Sequence, residues 1–299
     1  MKGELVTTVT SDGLELNGLW SDNGSDFAVF HSHGTAGDFY THKFIDVEGK
    51  RLETEKISFL SANNRGHDVY ADIRKNVNGK IEWASVGGGF ERFEDCLIDI
   101  SAWLDFISSR GVKKVILQAH SLTQKILYYQ SIKNDKRVFA QIHISPCNDA
   151  GFMFHMLGEK RYKEVNDMVK NMVEKEGREN ELLPKELAVV CPMAAQAYYG
   201  YLIEDGIGNL FPYHNPSSSK WTILEKTKEP LLAIFGSDDN FINSSINTKN
   251  ADDVASLFKK KAKSARSVDV RVMKDSVHSY LGHEEEMVDV IAGWIKSKI

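Results

Sequence analysis

The chain has 299 residues, 42% of them hydrophobic and 26% charged, which is the make-up of an ordinary globular protein with room for a sizeable core. Its formal charge of -5 and pI near 6.1 give no electrostatic reason to bind nucleic acid or an anionic membrane surface, so neither is expected as a partner. No run approaches the roughly 18 apolar residues that cross a bilayer, and Met1 to Thr10 lack the apolar core of a signal peptide.

In chain order, Glu4 to Val9 and Leu14 to Trp20 flank the turn pair Asp12-Gly13 and predict a β-hairpin. Four apolar runs follow that read as buried strands: Phe27 to Phe30, Ile57 to Leu60, Val115 to Ala119 and Val138 to Ile144. Helical patterns lie between them. The clearest places Phe93, Leu97, Ile100, Leu104 and Ile107 on one face and ends at Gly111. From Ser145 to Pro230 the strand-helix rhythm stops for about 85 residues, too long for a structureless loop. Within it Glu159 to Gly177 predicts a charged amphipathic helix, and aromatic residues Tyr198, Tyr199, Tyr201, Phe211 and Tyr213 follow. Strands are predicted again at Pro230 to Phe235 and Val268 to Met273, and a last amphipathic helix from Glu284 to Lys298. Alternating strands and helices imply a mainly parallel sheet with helices on both faces. The expected organisation is a core of residues 1–147 and 230–299, with a helical lid of residues 148–229 inserted after the sixth strand.

The segment from Val115 through Ala119-His120-Ser121-Leu122-Thr123 to Leu127 is a buried strand running through a serine directly into a helix. A serine at such a turn is pushed out at the end of the sheet, and the N–H of the next residue, Leu122, points to where an oxyanion would develop. Small residues are favoured two positions to either side, because the turn crowds helix and strand. Here Ala119 and Thr123 stand in place of glycines, and Thr123 needs more room. Taken alone, Ser121 could equally cap a helix. Upstream, however, a buried strand ends in His33-Gly34-Thr35, where a turn could present the Thr35 N–H as a second oxyanion donor. Downstream, Leu231 to Phe235 ends in Asp238 and Asp239, and Val270 to Met273 leads to His278. A histidine there could take the serine proton while a carboxylate fixes its tautomer. Asp149, after the preceding strand, is a third candidate acid.

In this combination the chain resembles the α/β-hydrolase superfamily over nearly its whole length, with the order Ser, Asp, His that the superfamily uses. Gly88-Gly-Phe-Glu-Arg-Phe-Glu-Asp-Cys96 and Ser145-Pro-Cys-Asn-Asp149 further resemble a subgroup that includes fungal siderophore esterases. The resemblance implies Ser121 as nucleophile, His278 as base, and Thr35 with Leu122 as backbone oxyanion donors. It also implies an acid after the penultimate core strand, and the usual G-x-x-D pattern maps Gly236-Ser237-Asp238-Asp239 so that Asp239 takes that position. The expected activity is cofactor-free cleavage of a small-molecule ester through an acyl-enzyme. An acyltransferase or thioesterase on the same residues, and a non-catalytic ligand-binding member of the fold, are the rival readings.

Other signals read more simply. His31 and His33 share a strand face but have no partner cluster, so structural and turn roles are expected and no metal site. Arg65, in Asn64-Arg-Gly-His-Asp68, is expected to organise loops. Gly87-Gly-Gly89 lacks the residues of a phosphate loop and reads as a hinge or close-packing point. Cys96, Cys147 and Cys191 are odd in number and widely spaced, which predicts buried structural thiols and fits a reducing cytoplasm. Phe152, Met153, Phe154 and Met156 open the insertion. Helical core is the commoner use of such a cluster; if a lid helix there faces the site, these residues and Tyr198 to Tyr201 would line an apolar acyl or aromatic pocket, with Phe152, Met156 and Tyr198 as the substrate-binding candidates.

Overall fold

The predicted hairpin forms: β1 (Glu4–Val9) and β2 (Glu15–Ser21) pair antiparallel across a turn in which Gly13 takes φ +94°, a conformation a side chain resists. The computed structural model describes residues 1–244 and 250–299. After the hairpin come β3 (Phe27–Ser32), α1 (Lys43–Thr54), β4 (Ser58–Ala62), β5 (Ala71–Val77), β6 (Lys80–Val86) and α2 (Cys96–Ser109). Then follow β7 (Lys114–His120), α3 (Gln124–Lys133) and β8 (Val138–Ile144). Residues 148–229 hold α4 (Asp149–Leu157), α5 (Glu159–Glu174), α6 (Ala195–Tyr201) and α7 (Thr222–Lys226). The chain closes with β9 (Leu231–Gly236), α8 (Asn240–Asn243), α9 (Ala251–Lys261), β10 (Val268–Met273) and α10 (Glu284–Lys296).

Among the described residues eight strands form one sheet in the order β1-β2-β4-β3-β7-β8-β9-β10. From β4 to β10 every neighbouring pair is parallel. Successive side chains on the buried strands serve opposite faces. On β7, Val115, Leu117 and Ala119 join one apolar cluster and Ile116 the other. Phe44 and Leu52 of α1 and Met287 and Ile291 of α10 cover one face, while Ile100 of α2, Ile126 of α3 and Phe258 of α9 cover the second. This is an α/β-hydrolase fold. The second cluster also takes in Met153, Val165, Val169, Tyr198 and Tyr201 from the helices between β8 and β9.

The strands β5 and β6 form a separate antiparallel ribbon that the apolar pattern does not announce. Ile73 packs against the core and Val86 is buried, but charged and polar residues interrupt both strands and Trp83 stays 69% exposed, so no apolar run marks them. The Gly87-Gly-Gly89 run after it is a close-packing point: a Cβ at Gly88 would lie 2.5 Å from Ala36 N, and one at Gly89 2.4 Å from Pro192 O.

The chain leaves β3 towards β4 and returns on the other side at β7, so the connections from these neighbouring strands part in opposite directions. Such a switch point opens a crevice at the carboxyl ends of the strands, where ligands bind in open α/β sheets. Gly34 and Thr35 follow β3, and Ser121 follows β7.

Candidate active site

Ser121 lies at φ +67°, the left-handed region, between the last residue of β7 and the first turn of α3. A non-glycine residue held there typically costs on the order of 1–3 kcal/mol. The surrounding bonds hold it: Ser121 N–H donates to Ile144 O at 2.9 Å, tying the turn to the end of β8, and Thr123 N–H donates to Ser121 O at 2.8 Å. The bulkier Thr123 is accommodated fully buried, its hydroxyl without a described partner, and α3 starts at the next residue.

The oxyanion loop is built by backbone contact. A Cβ at Gly34 would lie 2.6 Å from Ser121 Cβ and 2.9 Å from His120 O, so only glycine lets this loop reach the serine. His33 fixes the next peptide. Asn64 N–H donates to its Nε2 at 3.1 Å, which leaves Nδ1 to carry the proton and donate to Gly34 O at 2.7 Å. Burial holds His33 neutral, its pKa pushed down to about 3. With the Gly34 carbonyl turned to His33, planarity of the trans peptide turns the Thr35 N–H the other way. Among the described residues neither Thr35 N–H nor Leu122 N–H donates to a protein acceptor.

On the far side of the sheet centre, His278 Nδ1 meets Asp239 Oδ2 at 2.7 Å. Asp239 is fully buried, and its Oδ1 accepts the N–H groups of Phe241 at 2.9 Å and Ile242 at 3.2 Å, so both oxygens are spoken for. The carboxylate accepts a hydrogen bond from Nδ1–H, which keeps the proton on Nδ1 and leaves Nε2 as the basic nitrogen. Of the three candidate acids only Asp239 is brought to the imidazole. Asp238 points to solvent beside Ser237, and Asp149 accepts from Gln124 Nε2 at 3.2 Å. Burial raises the Asp149 carboxyl to about 6.

Three neighbours of this pair carry no motif of their own. His120 Nε2 donates to His278 O at 2.8 Å, with the two rings 4.8 Å apart, so the residue before the serine clasps the histidine loop. Burial and the nearby imidazoles of His278 and His42 hold the His120 pKa well below its ordinary value. Cys147, expected to be merely structural, stands beside both Ser121 and His278. Its Sγ donates to Ser145 O at 3.2 Å and is 3.9 Å from His278 Nδ1, its N–H donates to Ser121 O at 3.5 Å, and burial keeps it a thiol. Phe241 packs on the His278 ring at 4.8 Å and on Phe152 at 5.5 Å, forming an aromatic wall. Among the described residues no hydrogen bond joins Ser121 Oγ directly to His278.

The remaining sequence candidates are placed less centrally. Phe152 is half-buried against Phe241, Met156 is 46% exposed, and Tyr198 is fully buried with its hydroxyl unpartnered among the described residues. Arg65 binds Asp12, Asp95 and Asp99, an arrangement that organises loops. His31 bonds Gln118 Nε2 through Nδ1. No group of described residues could hold a metal ion, no described helix is long and apolar enough to cross a membrane, and all three cysteines are free and buried.

The profile of a family described as "Protein of unknown function (DUF1749)" matches residues 83–296, a span that contains Ser121, Asp239 and His278. No curated protein matches the chain in sequence. In structure it is similar to a siderophore hydrolase of Aspergillus fumigatus, with a TM-score of 0.68 at 15% identity over 100% of this chain and 98% of that one. An esterase of Pyrococcus furiosus aligns with a TM-score of 0.64 at 16% identity over 99% and 91% of the two chains. Est1E of Butyrivibrio proteoclasticus, solved with ferulic acid bound, aligns with a TM-score of 0.64 at 14% identity over 98% and 99%.

Proposed function

The chain belongs to the DUF1749 family and carries the α/β-hydrolase fold, and from that premise we propose that it is a serine hydrolase cleaving a carboxylic ester of a small organic molecule. Ser121 Oγ attacks the ester carbonyl while His278 Nε2 takes its proton, and Asp239 stabilises the imidazolium that results. The N–H groups of Thr35 and Leu122 receive the tetrahedral oxyanion. Collapse expels the alcohol, protonated by His278, and leaves an acyl group on Ser121. Water then attacks with His278 again as base, releasing the acid and restoring the serine. No cofactor enters this sequence.

The observation that carries the reading is the bond from the buried Asp239 to the partly exposed His278, together with a serine held at φ +67° on the central switch point. A triad requires the Ser121 Oγ to reach Nε2, a contact that is often loose in a free site and tightens when substrate binds. The aromatic wall of Phe241 and Phe152 supports an acyl or aromatic group as the part of the substrate bound there. The ferulic acid of Est1E and the siderophore substrate class of the Aspergillus fumigatus hydrolase agree with a small organic ester. Residues 148–229 act in this reading as a lid that selects substrate size, with Phe152, Met156 and Tyr198 as its pocket residues. Labelling with a fluorophosphonate probe, followed by peptide mapping, tests the proposal: it expects a single adduct on Ser121, lost in Ser121→Ala. Absence of that adduct from folded protein refutes it.

A further inference from the structure

The helices between β8 and β9 place one hydroxyl on the oxyanion loop. Tyr201, the last residue of α6, is 2% exposed, and its phenol oxygen lies 3.2 Å from Thr35 Oγ1, a partner 166 residues away in sequence. Other tyrosines of the same segment spend their hydroxyls differently. Tyr162 donates to the Leu202 carbonyl at 3.1 Å, and the hydroxyls of Tyr198 and Tyr213 have no partner among the described residues. The segment therefore does not supply a partner to every buried phenol, and the one at Tyr201 is met by Thr35. The placement is held from behind. Gly200 lets α6 press on Phe93, where a Cβ would come within 2.9 Å of Phe93 Cβ, and the Tyr201 ring packs on the Phe93 ring at 6.2 Å.

The Thr35 N–H is set from the sheet side by the His33 bond to Gly34 O. That bond fixes one end of the loop and leaves the Thr35 side chain, which is only half-buried, to be fixed from elsewhere. We propose that Tyr201 is a positioning residue for the oxyanion site: its hydroxyl anchors Thr35 Oγ1 and thereby holds the Thr35 N–H in the orientation that receives the oxyanion. The proposal rests on the serine-hydrolase reading above. It gives the helical segment a part in transition-state stabilisation in addition to any part in substrate selection. Burial, with Glu91 and Asp149 nearby, raises the phenol's pKa well above its ordinary value, so the hydroxyl stays protonated and able to donate.

The test is a double-mutant cycle on a p-nitrophenyl ester with Tyr201→Phe, Thr35→Val and the pair, with Thr35→Ser as the conservative control. Losing a direct oxyanion donor costs roughly 10²–10³ in rate, and loosening one through its neighbour should cost about tenfold. The expected result is a loss of about that size in kcat for Tyr201→Phe with KM little changed. Its phosphonylation rate should fall in step, the double variant should be no worse than the weaker single, and Thr35→Ser, which keeps the hydroxyl, should recover most of the kcat that Thr35→Val loses. A purely structural tyrosine would instead give additive losses, or losses that appear in KM and melting temperature. Unchanged kcat in Tyr201→Phe, or additivity with Thr35→Val, overturns the proposal while wild-type labelling at Ser121 leaves the hydrolase reading standing. No labelling of the wild-type protein overturns both.

Discussion

The candidate site has two halves that are held by different means. The serine half, between the ends of β3 and β7, is made of backbone: Ser121 at φ +67°, Gly34 pressed against its Cβ, and peptide groups steered by His33. The acid–base half, beyond β9 and β10, is made of side chains: Asp239 with both oxygens engaged, and His278 oriented by one of them. Backbone geometry tolerates almost no added atom, because a Cβ cannot rotate out of the way. A side-chain hydrogen bond tolerates a change of shape but not of charge, since it is the carboxylate that fixes the tautomer. His120 joins the halves, donating to the His278 carbonyl from the position next to Ser121.

The comparison can be broken most directly at the nucleophile. Ser121→Ala should fold normally and lose nearly all ester hydrolysis, on the order of 10⁶ in kcat where a triad serine is removed. Unchanged turnover in a clean preparation would end the serine-hydrolase reading. The acid–base half is tested by three single variants, Asp239→Asn, Asp238→Asn and Asp149→Asn, assayed by steady-state kinetics. Only the first should fall severely, by about 10⁴ in kcat with little change in KM. A severe loss at Asp149 or Asp238 with normal activity at Asp239 would transfer the role to another carboxylate.

Gly34→Ala sharpens the backbone side of the contrast. Its methyl must displace the loop from Ser121, so kcat should drop about 10²–10³, the size of a lost oxyanion donor. A variant that keeps wild-type kcat at unchanged melting temperature would show that the loop can give way. Phe152→Ala and Met156→Ala should leave kcat on a short ester nearly intact and alter the preference among longer or aromatic acyl groups. An unaltered profile across an ester series removes the pocket assignment.

The smallest effect lies beneath the serine half, where Glu48 of α1 is fully buried and accepts from Gln118 Nε2 of β7 at 2.8 Å. Burial pushes its carboxyl from an ordinary 4.5 up to about 8. The folded state therefore binds the proton more tightly than the unfolded chain, and stability present below about 4.5 is lost as the pH rises through about 8. Glu48→Gln has no proton to lose. Its melting temperature should match wild type in acid and exceed it increasingly towards pH 8, with kcat unchanged. Parallel melting curves at both pH values would show that Glu48 is not buried as a neutral acid.

Much of the sheet can be read before any coordinate, because apolar runs and the periodicity of α2 and α10 are local properties of the chain. The β5–β6 ribbon escapes that reading, as it buries little beyond Ile73 and Val86 and its strands are broken up by charged residues. Of the site, Ser121 announces itself through a strand that runs straight into a helix, and Gly34 through its place after another strand. Phe241, Cys147 and His120 announce nothing, because an aromatic, a thiol or an imidazole looks the same in sequence whether it fills a core or borders a site.

By itself, then, the sequence determined the eight strands of the main sheet and their order along the chain, the turn that exposes Ser121, and a short set of acids and one histidine that could serve it. Resemblance to the superfamily chose Asp239 among those acids. Only the tertiary structure decided which carboxylate meets His278, that His120 clasps its loop, and that Tyr201 reaches Thr35. The reason is physical: local pattern fixes φ, ψ and the face a side chain serves. Contacts between residues 39, 158 and 166 positions apart are fixed by how the strands stack and where the helices close over them.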